Sequence, residues 1–226
     1  MSVKETQRAA RWRRRKEARP AEIAAAALDC FAERGFAATR LDDVATRAGI
    51  TKGTLYLYFR DKEDLFKAVV RQGLVPGLVR AEALLAQSDE PCLVLLERLL
   101  LQWVELARTP LGAVPKIMLT EAGNFPELAR FYVAEVIERG MGVFRALLKR
   151  GVARGEFRQV DVETAIHCII APVLLAMLWR HSFERHEGAR FDPVRLCRTH
   201  VELLERGLAK TGRDAATPRR SKRGAR

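Results

Sequence analysis

The sequence predicts an all-α fold, on three observations. Apolar residues recur three and four apart in one segment after another. Cap-forming residues and glycines stand at the ends of those segments. No stretch alternates apolar and polar residues with period two for long enough to make a strand. With 226 residues, 48% of them apolar and 30% charged, the chain can bury a core and is sized for one or two domains.

The first helix is expected over Pro20–Arg34. It is rich in alanine, it carries Ile23, Ala27, Leu28 and Phe31 on one stripe, and proline suits its first turn. Gly35 follows where a left-handed residue ends a helix. Thr39 is the expected N-cap of a short helix through Leu41, Val44, Ala45 and Ala48, with Asp42 completing a shortened capping box and Gly49 closing it. Thr51 opens a helix over Lys52–Phe59. Asp61 opens a longer amphipathic one through Leu65, Phe66, Val69 and Val70. Helical spacing continues over Leu78–Ala86, Leu93–Ala107, Pro126–Arg154, Val162–Phe183 and Pro193–Lys210. The breaks fall at Pro76-Gly77, Asp89–Pro91, Pro110–Gly112, Gly123-Asn124, Gly155–Asp161 and Glu187–Asp192.

Several classes are set aside by the same reading. The four cysteines are far apart, which argues against a disulfide framework or a structural zinc site. No Gly-rich phosphate loop, metal-spaced His/Asp/Glu set or nucleophile motif appears. No enzyme, metal or cofactor is therefore expected. The apolar run Ala165–Trp179, interrupted by His167 and Pro172, falls short of the ~20 residues of a membrane span. The charged N-terminus lacks an apolar segment behind it, so no signal peptide and a cytoplasmic location are expected.

The net charge of +12 sits at the two ends. Residues 1–20 sum to +6 and residues 206–226 to +7, leaving about −1 for everything between. Residues 1–19 and 211–226 are expected to be an unstructured basic arm and tail. They suit a polyanion, whose counterions they would release, but solvated termini or a membrane-facing arm would carry the same charge.

Leu41–Phe59 has the spacing of a helix-turn-helix. Ala45 is small where two helices cross, Gly49 permits the turn, and Ile50 and Leu55 fill the space between them. On Lys52–Phe59, Leu55 and Phe59 face inward, while Lys52, Thr54, Tyr56 and Tyr58 are polar-tipped and face outward. Two of the chain's three tyrosines lie on this helix. Both could be half-exposed packing aromatics. Beside Thr39, Arg40, Arg47, Thr51 and Lys62 they read instead as a surface that meets a duplex backbone.

The runs Ala27–Phe36, Thr39–Ile50 and above all Thr51–Leu65 (TKGTLYLYFRDKEDL) resemble the TetR family of bacterial transcriptional regulators. The likeness is specific over residues 20–70 and weaker beyond. Glu121–Phe131 also resembles C-terminal domains of regulators related to efflux-pump repressors. The resemblance implies a three-helix DNA-binding domain (residues 20–66) joined to a ligand-binding and dimerising bundle (67–210). It places Thr39, Thr51, Tyr56, Tyr58 and Lys62 at phosphate-contacting positions, and Lys52, Gly53 and Thr54 at the groove-facing start of the recognition helix. Gly53 has no side chain to read a base, so Arg40 and Arg47 are expected to help, and the Arg-rich segment before Pro20 to add minor-groove contacts.

A two-fold operator requires two recognition helices about one DNA turn (~34 Å) apart, hence a homodimer. The helices near 162–183 and 193–210 are the expected interface. Ile166, Ile169, Ile170, Val173, Leu174, Met177 and Leu178 make the first apolar nearly all round, although burial within one subunit would explain that too. Trp103, Met118, Glu121, Phe125, Phe131, Phe144 and His167 are the candidates for lining a pocket for an unidentified small-molecule effector, with Glu121 selecting a cation. Taken alone, each reads first as a core residue. The expected function is a ligand-released repressor on a palindromic operator. The competing reading is an architectural DNA binder without an effector.

Overall fold

The computed structural model describes residues 3–187 and 191–210, and every regular element among them is helical. Helix α1 spans Val3–Arg34 and passes through Pro20, where the sequence predicts its start. The ring removes one backbone bond, but the residues before it are mainly Arg, Lys, Glu, Gln and Ala, all strong helix formers. The expectation of an unstructured arm over residues 1–19 is thus corrected from Val3 onward. The tail 211–226 lies outside the described residues.

Gly35 ends α1 with φ 82°, and Gly49 makes the turn of the helix-turn-helix with φ 63°. Between them α2 (Leu41–Arg47) is capped differently from expectation. Arg40 is its N-cap residue, and the Arg40 N–H donates to the Asp43 carboxylate at 3.3 Å. In α3 (Lys52–Tyr56) the Thr51 hydroxyl accepts the Thr54 N–H at 3.2 Å, as expected. The helix stops short of Phe59 because the Leu57 and Tyr58 N–H groups turn back to carbonyls three residues earlier, at 3.3 and 3.0 Å. Asp61 caps α4 (Lys62–Gly73) through the Asp64 N–H at 2.7 Å.

In the C-terminal part, α5 (Val75–Gln87) carries Pro76 in its first turn, and α6 (Cys92–Ala107) follows. A 3-10 turn at Pro110–Ala113 leads into α7 (Val114–Glu121), a helix the sequence reading leaves out because Pro and Gly flank it closely. The single helix predicted over 126–154 is three pieces: α8 (Pro126–Tyr132), a π-helical stretch Val133–Ile137, and α9 (Glu138–Arg154). The chain continues through α10 (Val162–Ser182), α11 (Glu184–Glu187) and α12 (Pro193–Leu208).

Two apolar cores divide the molecule, and neither follows the chain order. The first joins α1–α4 (Ile23, Phe31, Phe36, Val44, Leu55, Phe66) to Ile117 and Met118 of α7 and Leu128 and Tyr132 of α8. The second gathers α5, α6, α9, α10 and α12 around Leu95, Leu99, Phe144, Leu148, Ile169 and Val201. Two helices from later in the chain, α7 and α8, therefore roof the helix-turn-helix head.

Helix α10 corrects the length argument made from the sequence. At 21 residues and a mean hydropathy of 1.8 it is long and apolar enough to cross a membrane, yet it packs against α6, α9 and α12 with 28% of its apolar window buried. Of its expected interface residues, Ile166, Ile169, Val173 and Met177 are buried within the subunit. Its exposed apolar residues include Leu175 and Ala171, with Leu203 exposed on α12.

Candidate DNA interface and effector cavity

The head exposes a compact patch around α3. Leu55 and Phe59 are buried, which turns Tyr56 outward at 48% exposure. Lys52 Nζ reaches the Asp42 carboxylate at 3.0 Å, tying the start of α3 to α2. The Thr51 and Thr54 hydroxyls lie 2.9 Å apart. Arg40 is exposed at the start of α2, and Tyr58 is half-buried against the first core. Gly53 is exposed, and among the described residues a Cβ there would meet only Thr51 Oγ1 at 3.9 Å, so none of them demands glycine at this position. Two further residues join the patch: Leu57, 80% exposed, and Arg60, whose side chain is 85% exposed. Leu57 stands two residues from both inward-facing side chains, a spacing that places it on the opposite face of a helix.

Three of the expected DNA contacts are engaged inside the protein instead. Thr39 is buried, and its hydroxyl is positioned to bond the Gly35 carbonyl at 2.7 Å and the Cys30 carbonyl at 3.1 Å. It locks the α1–α2 turn because the glycine-ended helix leaves carbonyls that need a donor. Lys62 Nζ donates to the Phe36 and Ala37 carbonyls at 2.7 and 2.9 Å and lies 4.6 Å from the centre of the Phe36 ring. Burial pulls its ammonium below the ordinary lysine value. Arg47 makes a two-pronged pair with Glu33 at 2.8 and 2.6 Å, and that bond holds the Glu33 carboxyl below the usual carboxylate range.

A cavity of about 1300 Å³ opens between α5, α6, α7, α8, α9 and α10. Its wall is mainly apolar, with Leu78, Leu106, Tyr132, Val136, Ile170 and Leu174 among the lining residues, and burial drives the Tyr132 phenol upward. Arg80, Arg98 and Glu105 also line it and are exposed. The Arg98 guanidinium pairs with Glu90 at 2.6 Å.

Of the effector candidates, Trp103, Met118 and His167 line this cavity. His167 Nδ1 lies 2.9 Å from the Glu163 carbonyl, one turn back on α10. Glu121, Phe125, Phe131 and Phe144 are not among its lining residues. Phe144 is buried in the second core, edge-on to Trp103 at 5.5 Å. Phe131 lies under the Arg71 guanidinium at 4.9 Å. Phe125 packs edge-on against Phe36 of the head at 4.8 Å, and a Glu121 oxygen accepts the Ala37 N–H at 3.1 Å. The last two belong to the junction between the head and the bundle, because the turn after α7 is what closes over the head's core.

A smaller polar cleft lies between Asp29 and Glu33 of α1 and Arg180, His181 and Glu184 beyond the cavity. His181 Nε2 is 3.1 Å from the Ala107 carbonyl, and burial pulls the imidazole below its ordinary value.

Residues 23–69 match the family model described as bacterial regulatory proteins, tetR family, and residues 96–190 match a tetracyclin repressor-like C-terminal domain. The HTH-type transcriptional repressor KstR2 of Rhodococcus jostii (strain RHA1) is 30% identical over 166 residues, spanning 73% of this chain and 80% of that one. The chain belongs to the tetR family of transcriptional regulators. Within this tetR-family protein the head is the best-matched part. The HTH-type transcriptional regulator RutR of Escherichia coli (strain K12) is 50% identical over 50 residues, 22% of this chain and 24% of RutR. The whole tetR-type fold is shared with a crystal structure of the transcriptional regulator FadR from Bacillus subtilis in complex with stearoyl-CoA. That likeness has a TM-score of 0.70 at 23% identity, over 83% of this chain and 98% of FadR. This tetR-family regulator is accordingly a DNA-binding protein with an N-terminal helix-turn-helix and a C-terminal helical domain.

Proposed function

We propose that this regulator is a homodimeric repressor, released from a palindromic operator when a long-bodied amphiphile enters the cavity. The observation that carries the reading is the cavity itself. About 1300 Å³ of mainly apolar space exceeds the roughly 300–1,000 Å³ of ordinary ligand pockets and suits a hydrocarbon body rather than a compact polar metabolite. The exposed Arg80 at its lining fits an anionic head group. The fold-level likeness to FadR, a protein crystallised with stearoyl-CoA, makes a long-chain acyl-CoA the first probe. An architectural DNA binder without an effector would have no use for this space.

Operator contact belongs to the patch of Arg40, Thr51, Lys52, Gly53, Thr54 and Tyr56, with Tyr58, Leu57 and Arg60 at its edge. Hydroxyls and cations there hold phosphates, and the bare Gly53 backbone allows close approach to the groove. The dimer face is the exposed side of α10 and α12 around Leu175 and Leu203, which supplies the cover that the half-buried α10 lacks. Such a dimer presents two α3 helices to successive major grooves. Footprinting on the DNA upstream of the chain's own gene tests this. A two-fold symmetric footprint erased by stearoyl-CoA supports the reading, and no footprint at low salt removes it.

A further inference from the structure

Helix α7 faces two ways. Pro115, Met118, Leu119 and Ala122 form one wall of the cavity. Ile117 and Glu121, four residues apart and so on one stripe, look toward the head, where Ile117 is buried in the same core as Phe31, Phe36 and Phe66. The end of the helix then grips a single dipeptide of the head. A Glu121 carboxylate oxygen accepts the Ala37 N–H at 3.1 Å, and its other oxygen lies 3.4 Å from Asn124 Nδ2. The Phe125 ring, one turn on, meets Phe36 at 4.8 Å. The carbonyls of the same two residues, Phe36 and Ala37, are held from the other side by Lys62 of α4. This dipeptide lies four residues before α2, so its position sets where the helix-turn-helix stands.

We infer that Glu121 is the positioning residue that passes cavity occupancy to the DNA-binding head. It does so through the Ala37 backbone, directly from α7 rather than along α4 alone. The inference rests on the cavity being the effector site. Packed helices shift as units rather than yield, so a body seated against Met118 and Ala122 moves α7 and carries Glu121 and Phe125 with it. The Ala37 N–H has then to follow its acceptor or lose it. The free and occupied states thus differ in a contact made to the head, which is what coupling between two sites requires. Glu121 meets neither the cavity nor the exposed α3 patch, so its role separates cleanly from binding at either.

The test uses the full chain, operator-bearing DNA and stearoyl-CoA, read by fluorescence anisotropy for DNA and by calorimetry for the probe. In Glu121→Ala, both affinities measured alone stay within about threefold of the parent, while the probe-induced loss of operator affinity falls from about tenfold or more to about twofold. Glu121→Gln keeps an oxygen acceptor for the Ala37 N–H and restores the parental response. A merely structural role would shift both affinities and leave their ratio alone. Full release in Glu121→Ala overturns the inference.

A second arm needs no ligand. Ala122→Phe, which fills the cavity side of α7, lowers operator affinity on its own and loses that effect when combined with Glu121→Ala. Leu119→Trp serves the same purpose from the exposed edge of the cavity. Equal effects with and without Glu121 overturn the inference. If the parent fails to respond to stearoyl-CoA while the ligand-free arm shows the coupling, the effector assignment has failed and the role of Glu121 stands.

Discussion

The Phe125 and Phe36 rings meet edge to face, 4.8 Å between centroids and 82° between planes, joining the bundle to the DNA-binding head. Phe36 is also 5.4 Å from both Phe31 and Phe66, so the contact extends a fully buried aromatic triad of the head. Phe125→Ala is expected to lower stability by about 2–3 kcal/mol, through lost burial and a lost edge-to-face pair. Urea unfolding measures it. A loss confined to a few tenths would show that the head closes its core without the bundle.

Thr39 offers a prediction opposite to the one its position in the motif suggests. Its hydroxyl, bonded within the turn, is unavailable to a phosphate. Thr39→Val, of the same shape, should cost about 1–2 kcal/mol of stability by leaving the Gly35 carbonyl, the nearer acceptor, without its donor. The salt dependence of operator binding should not change. A slope reduced by about one would instead indicate a lost phosphate contact.

His181 sets an acid limit on stability. Burial holds its folded-state value below the 6.5 of the free imidazole, so below that pH the unfolded chain takes up the proton first. The stability that neutral His181 contributes is full above pH 6.5 and is lost as the pH falls beneath it. His181→Gln keeps a donor for the Ala107 carbonyl and removes the titration. Between about pH 5 and 6.5 its unfolding free energy should therefore fall less steeply than that of the parent. Parallel curves would show that His181 does not titrate differently on folding.

The proposed dimer face can be charged without touching the core. Leu175 is 51% exposed and Leu203 is 62% exposed. Leu175→Glu with Leu203→Glu should leave helicity intact while light scattering reports a monomer, since a buried pair of like charges opposes association. A dimer of unchanged mass would move the interface elsewhere.

Much of this was legible in the residues. The caps at Thr51 and Asp61, the glycine joints at Gly35 and Gly49, and the inward Leu55 against outward Tyr56 are local features, and the structure keeps them. That Thr39 and Lys62 face carbonyls of the turn is not legible in the residues, because a hydroxyl or ammonium near a helix start looks the same whether it faces water or an orphan carbonyl. Only the fold of the turn decides that. Glu121 and Phe125 were placed in the cavity because chain order assigned them to the bundle. The first core ignores chain order and takes α7 and α8 into the head. Helix α7 itself is not legible in the sequence, since eight residues between Pro110–Gly112 and Gly123 carry too short a period to stand out.

The most direct measurement is the dissociation constant of the purified protein for its own upstream operator as stearoyl-CoA is raised. A repressor released by cavity occupancy shows a rise of about tenfold or more that saturates as the cavity fills, and that Ile170→Trp, which occupies this space, abolishes. A constant that stays level while calorimetry shows the probe bound would contradict it.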